Sequence, residues 1–449
     1  MRLSSDDLPM FFGEPHARLA ERLRAAAPAI AAVEDPAAPG DEASRDRAAR
    51  DALAAAGLFE LVVPGAPGHG ASWDAAEQAA SQANTELPGA RPRGAANDRG
   101  PAIQSPSRDG SEHAATLVST DHDAGPHGPL SMPHTRSLCL AREMLGYVSP
   151  RADSILAVQG LGTHALGAAG TPAQRAELPA FARGERIAAF ALTEPEAGSD
   201  VAAIATRATP AGDGYRLDGD KLFISNLGIA DHAMVVATVD PARGHAGLTA
   251  FWLPLDAPGV TVRPLAAIAA HPIGALELRG ALVPATARIG EVGQGMKLAL
   301  DTLDAFRVSV GAAAVGMARR ALDEALGFVT RRRQFGKLLS EQPLVQAHLA
   351  DMVVDLDAAR LLVLRAAALK DATGGKHTTE VSIAKLGATE AAQRVIDRAV
   401  QLFGGRGVMA GAVVELLYRA IRPLRIYEGT SEIQRTIIGR ALAKQGPAR

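Results

Sequence analysis

Residues 214–225 read GYRLDGDKLFIS. Apolar and polar residues alternate on either side of Asp218-Gly219, which predicts two short strands joined by a hairpin turn. HAMVVATVD (232–240), GLTAFWLPL (247–255) and GVTVRPL (259–265) follow at strand length, separated by turn residues. Together they predict a compact antiparallel β domain over 187–288. Upstream, ARLAERLRAAAPAIAAV and RDRAARDALAAAGLFELV are rich in Ala and Leu with charges interleaved, a helical texture that resumes at SLCLAREMLGYV (137–148). Downstream of Gly295 the texture is helical again. Leu349, Met352, Val353 and Leu356 predict one buried helix face, and Gly311, Ala314 and Gly316 predict close helix approach. The expected architecture is mostly α with a middle β domain: N-terminal helices in 1–186, strands in 187–288, a helical bundle in 289–449.

The chain has 449 residues, more than one ordinary core holds. Its 47 basic and 49 acidic residues leave a net charge of -2, with no long basic run, which argues against nucleic acid as a partner. A single cysteine, Cys139, excludes an internal disulfide and a cysteine-based metal site. No stretch of eighteen apolar residues predicts a membrane span, and MRLSSDDLPMFFGEPHARLAERL lacks a basic-then-apolar signal, so a cytoplasmic location is expected. From 65 to 133 the chain is rich in Gly, Pro, Ser and Asp and reads as a disordered insertion. His113, His122, His127 and His134 lack metal-ligand spacing and are expected to be solvated; no metal is predicted.

Five stretches carry chemistry. FALTEPEAGSD (190–200) is as readily a polar loop as a ligand loop whose N–H groups and hydroxyls hold a planar ring or pyrophosphate. LFISN (222–226) closes the first β segment. RRRQFGK (331–337) reads either as basic residues answering a helix dipole or as an anion clamp. QLFGGRGV (401–408) is a helix stop without the Lys-Ser/Thr of a phosphate loop. RIYEGTSEIQR (425–435) sets Glu428 between an aromatic ring and a glycine, ahead of Ser431-x-x-Gln434, which predicts a capping box. GLGTHA (160–165) fits a dinucleotide fingerprint, but no βαβ alternation surrounds it and Gly170-Thr171-Pro172 ends the helix too soon.

In this order and spacing, these five segments resemble the acyl-CoA dehydrogenase family over 137 to the end, with a weaker helical match before Pro64. The resemblance implies an N-terminal helical domain, an antiparallel β-barrel-like middle domain and a C-terminal four-helix bundle. It also implies FAD as cofactor, with a homotetramer (or homodimer) in which two subunits complete each flavin site. Phe190, Leu192 and Thr193 would line the isoalloxazine, with Ser199 near the pyrophosphate. Phe223 and Ser225 would cover the other side, where the family commonly has Trp and Thr. Arg332, Gln334 and Phe335, with Gln401, Gly404 and Gly405, would hold the adenosine-diphosphate half from a neighbouring subunit. Thr430 and Glu432 would complete the same contacts.

Glu428 falls on the family's catalytic base, with Tyr427 and Gly429 beside it and Arg307 and Asp304 in support. Some branches place the base elsewhere, at a position that here is Phe306, so no rival carboxylate is offered. The implied reaction takes an acyl-CoA thioester to a trans-2-enoyl-CoA, passing electrons to an electron-transferring flavoprotein. Hydrogen bonds to the thioester carbonyl from the Glu428 N–H and the flavin ribityl hydroxyl would stabilise the enolate. The competing expectations are an acyl-CoA oxidase or flavin monooxygenase on the same fold, or a non-catalytic scaffold. The insertion after Pro64 has no counterpart in the family pattern, and Ala420 and Leu227 replace a common acid and a common glycine.

Overall fold

The computed structural model describes residues 1–35, 40–66, 130 and 134–445. The expected insertion, 65–133, lies outside the described residues apart from Gly65, Ala66 and Leu130, and so do His113, His122 and His127. After a single helical turn at Ser4–Asp7 come two long helices, α1 (Glu14–Ala31) and α2 (Glu42–Ala55), followed by α3 (Thr135–Val148) and α4 (Pro150–Ala169). Ser149 starts α4, its Oγ accepting from Ala152 N at 3.0 Å with Pro150 in the first turn. The fingerprint-like GLGTHA is interior to α4, and its glycines serve packing. A Cβ on Gly160 would lie 2.3 Å from Phe306 Cε1, and one on Gly162 would lie 2.7 Å from Ala188 Cβ.

Eight strands make the middle sheet: β1 (Ala188–Ala191), β2 (Arg207–Ala211), β3 (Gly214–Ser225), β4 (His232–Thr238), β5 (Leu248–Pro254), β6 (Val260–Pro264), β7 (Ile273–Pro284) and β8 (Arg288–Ile289). Their order is β6-β7-β3-β2-β4-β5-β8, with β1 beside β4. Pairing is antiparallel except for β1 with β4 and the short Arg207–Thr238 contact of β2 with β4. The hairpin expected at Asp218-Gly219 is not there. The turn is Gly212-Asp213, and GYRLDGDKLFIS is one twelve-residue strand. Asp218 faces a bulge instead: Arg279 and Gly280 on β7 oppose it, and its Oδ1 accepts from Gly280 N at 2.7 Å. The side chain that would have capped a turn satisfies the bulged backbone.

Five further helices follow: α5 (Gly295–Val329), α6 (Pro343–Thr373), α7 (Thr378–Phe403), α8 (Val413–Leu424) and α9 (Ser431–Gln445). Small residues set the spacing of α5. A Cβ on Gly316 would sit 2.0 Å from Glu143 O and one on Gly146 2.2 Å from Ala313 O, so α3 and α5 touch backbone to backbone. On α6, Met352 and Leu356 are buried as expected, but Val353 is 45% exposed. The buried stripe continues through Ala359 and Val363, which leaves Val353 on its flank beside the exposed Val354. His134, expected to be solvated, is half-buried at the start of α3. Its Nδ1 lies 3.3 Å from Asp371 Oδ2, because that carboxylate also accepts from Thr135 N and Arg136 Nε.

Candidate active site

α8 gives way at Arg425 to a six-residue connection into α9, and the connection turns at Glu428. Glu428 has φ +51° and Gly429 φ +90°, two consecutive left-handed residues. Glycine adopts this freely; glutamate does so only when neighbours hold it there. Three side chains from three helices do. Arg307 Nε on α5 donates to Glu428 O at 3.1 Å. Gln434 Nε2 on α9 donates to Gly429 O at 3.0 Å and Glu428 O at 3.4 Å. Lys385 Nζ on α7 donates to Gly429 O at 2.8 Å.

The expected Ser431–Gln434 capping box does not form, and a single cap takes its place. Thr430, one residue earlier, caps α9 by accepting from Ile433 N at 3.3 Å. Gln434 is drawn back onto the turn's carbonyls, and Ser431 Oγ donates to Glu390 Oε1 at 2.6 Å, beside the Arg425–Glu390 ion pair.

Glu428 Oε2 is screened from solvent and has no hydrogen-bond partner among the described residues. Burial raises the carboxyl above its usual value, while the charges of Arg142, Arg307 and Lys385 pull against that rise. Tyr427 is half-buried against the bundle core, and burial pushes its phenol up. Arg142 is 1% exposed and spends its guanidinium on Asp153 (2.8 Å, both oxygens) and Ser309 Oγ (2.9 Å). Asp304, nearly buried, is paired with Lys370 at 3.2 Å. The chemistry of this corner is that of a proton acceptor: a desolvated carboxylate with an open oxygen on a braced loop.

The sheet supplies a second group. Phe190 lies on β1; Leu192 and Thr193 follow it, Ser199 is exposed in the loop beyond, and Ser225 ends β3. A buried ion pair, Lys221–Glu194 at 2.7 Å, ties this loop to β3, and Glu194 also accepts from Ala205 N and Thr206 N. Phe223 sits where β3 carries an extra residue against β7, with φ +59° and its side chain 62% exposed. An aromatic ring held out from a strained bulge suits a flat ligand face.

A third group is remote. Arg332, Gln334 and Phe335 belong to a hairpin of β9 (Arg333–Gln334) and β10 (Lys337–Leu338), not to the end of α5, so the three arginines follow the helix rather than cap it. Phe335 and Gly336 form its turn at φ +51° and +75°, and Phe335 is 95% exposed. Gln401, Gly404 and Gly405 lie at the end of α7, which meets the end of α5 just before that hairpin through stacked Phe328 and Phe403 rings (4.4 Å). A Cβ on Gly404 or Gly405 would meet nothing within 4 Å. Sixteen residues of α7 separate Gln401 from Lys385, about 24 Å of helix. The structure therefore brings Glu428, Tyr427, Gly429, Arg307, Thr430 and Glu432 together, and sets Arg332 to Phe335 and Gln401 to Gly405 far along the bundle.

The sequence profile described as "Acyl-CoA dehydrogenase, C-terminal domain" matches residues 293–443, and "Acyl-CoA dehydrogenase, middle domain" matches 189–281. FadE25 of Mycobacterium tuberculosis, named a probable acyl-CoA dehydrogenase, is 40% identical over 311 residues, 68% of this chain and 80% of the relative. The chain belongs to the acyl-CoA dehydrogenase family. Among solved structures, butyryl-CoA dehydrogenase from Megasphaera elsdenii superposes with TM-score 0.66 at 37% identity, covering 69% of this chain and 82% of the other. An FAD complex of PigA superposes with TM-score 0.66 at 30% identity over 71% and 87%.

Lys385 and Arg142 at this acyl-CoA dehydrogenase site escaped the sequence reading, and Gln434 entered it only as a helix cap. The signal was a lone charge in an apolar stripe. Lys385 follows Val381 and Ala384 and precedes Ala388, all buried, and Arg142 sits between Leu138 and Leu145 in the same way.

Proposed function

We propose that Glu428 removes the α-proton of a bound acyl-CoA thioester, which the enzyme oxidises to a trans-2-enoyl-CoA. The chain is an acyl-CoA dehydrogenase with FAD as its cofactor. The observation that carries the assignment of Glu428 is its buried, unpartnered Oε2 on a left-handed turn braced from three helices.

The residues fit the cofactor. Phe190, Leu192, Thr193, Phe223 and Ser225 would hold the ring end, with Ser199 at the pyrophosphate and Thr430 and Glu432 alongside. FAD held there would supply a hydride acceptor for the β-hydrogen. The protein's own part is proton chemistry. The Glu428 carboxylate accepts the proton; its N–H, which donates to no backbone carbonyl among the described residues, would donate to the thioester carbonyl and stabilise negative charge developing there. Substrate that excludes water raises the carboxylate's proton affinity further, towards a useful range.

Arg332, Gln334, Phe335, Gln401, Gly404 and Gly405 would serve the flavin of a neighbouring subunit in a homo-oligomer. Support comes from their distance along α7 from the base loop and from the solvent-facing ring of Phe335. An electron-transferring flavoprotein is the proposed acceptor. Anaerobic titration of the purified flavoprotein with a panel of acyl-CoA thioesters tests the reading. At least one ester is expected to bleach the flavin's visible absorption and yield enoyl-CoA; a panel that leaves the spectrum untouched would contradict it.

A further inference from the structure

Lys385 is a fully buried lysine in the bundle, 0% exposed, and among the described residues its Nζ is bonded to a carbonyl rather than to a carboxylate. Its Nζ reaches the carbonyl of Gly429 at 2.8 Å and also feels the charge of Glu428. An ammonium at that depth costs stability, since desolvation works against its charge. Gln434 already donates to the same carbonyl. A neutral side chain of similar length would fill the space without the desolvation cost, so satisfying the carbonyl does not explain a lysine. The charge is what the loop gains.

We propose that Lys385 is a positioning residue for the base: its ammonium grips the Gly429 carbonyl and holds Glu428 in the left-handed turn that presents its carboxylate. The inference rests on Glu428 being the base. Arg307 holds the Glu428 carbonyl and Gln434 reaches both carbonyls, but Arg307 keeps its charge at every accessible pH and Gln434 has none. Lys385 alone among the three can lose its grip by titration. The charged groups that face it are Glu428 and Glu432 from the base loop and α9, Arg307 from α5 and Glu390 on its own helix. Burial brings its pKa down to about 8, with Glu428 opposing the shift. Below that pH the charge-assisted bond is intact; above it only a weaker neutral N–H remains.

The test uses Lys385→Met in the full-length holoenzyme, beside the wild type. Wild-type flavin reduction by a reactive acyl-CoA is expected to fall as pH rises through about 8. Lys385→Met is expected to reduce kcat about tenfold to a hundredfold at pH 7, the scale of a displaced catalytic group, with KM nearly unchanged and the alkaline limb gone. Its melting temperature should hold or rise, whereas a merely structural lysine would lower it. Should Lys385→Met fail to fold, hydrogen exchange of wild-type amides 427–431 serves instead. Corrected for intrinsic rate, it should quicken at least severalfold between pH 7 and 9 while the middle of α7 stays protected. An unchanged kcat and alkaline limb in Lys385→Met, or exchange insensitive to pH, would overturn the proposal. If wild-type flavin is reduced by no acyl-CoA at all, the failure belongs to the assigned reaction, and the exchange experiment still decides the role of Lys385.

Discussion

At the scale of single residues, the site trades stability for chemistry. The Glu428 carboxyl is raised above its ordinary value by burial, so the folded state binds its proton more tightly than the unfolded chain. Stability is therefore lost as pH rises from the unfolded value through the folded one, and the deficit persists at neutral pH. Glu428→Gln is accordingly expected to melt at a higher temperature than wild type at pH 7, with the gap closing towards pH 4. The same shift places the acid limb of wild-type activity above the usual glutamate range, which a pH profile of the reductive half-reaction would show. Phe223 presents a parallel case. Its left-handed backbone costs on the order of 1–2 kcal/mol, and its exposed ring recovers little from packing within the chain. Phe223→Gly should leave the apoprotein's stability unchanged or slightly raised in denaturant titration, yet weaken flavin retention on gel filtration.

At the scale of elements, what the sequence made legible was periodicity, and what it hid was backbone geometry. The alternating runs of 214–265 and the small residues of α5 identified strands and a close helix contact. Asp218-Gly219 misled because Asp-Gly meets the backbone demands of a bulge as well as those of a turn. The capping box gave way to a single Thr430 cap because the left-handed turn before α9 creates two carbonyls that need donors, and Gln434 supplies one, a demand no local spacing displays. Lys385 and Arg142 went unread because each looks like an ordinary helical charge until the neighbouring helices are in place. The contact of α3 with α5 yields its own prediction. Gly316→Ala would put a methyl 2.0 Å from Glu143 O, in a place where both partners are helix backbone. The loss should reach about 3 kcal/mol or more, at the upper end of overpacking costs, measurable in urea denaturation.

Over the whole molecule, the bundle carries two groups of proposed site residues far apart. The base loop lies near one end of α7, and the Phe335 hairpin near the other. Phe335→Ala is expected to leave the subunit's fold intact by circular dichroism while lowering flavin occupancy in the assembled protein. The family resemblance implies a flavin site shared by two subunits, and the separation along α7 supports that proposal. Leu130 N donates to Gly167 O at 3.2 Å, and a Cβ on Gly65 would lie 2.9 Å from Leu130 Cδ1, so the chain departs and returns at one place. Replacing 67–129 by a short glycine link should shift the melting temperature by no more than a few degrees.

One measurement bears most directly on the role of Glu428: anaerobic rapid mixing of the Glu428→Gln holoenzyme with an acyl-CoA that reduces the wild type. The substitution keeps shape and the loop's backbone bonds and removes only the proton acceptor. Flavin should remain bound while its reduction slows by about a thousandfold or more, within the span that general-base removal covers. Reduction at more than a few percent of the wild-type rate would put the base on another residue.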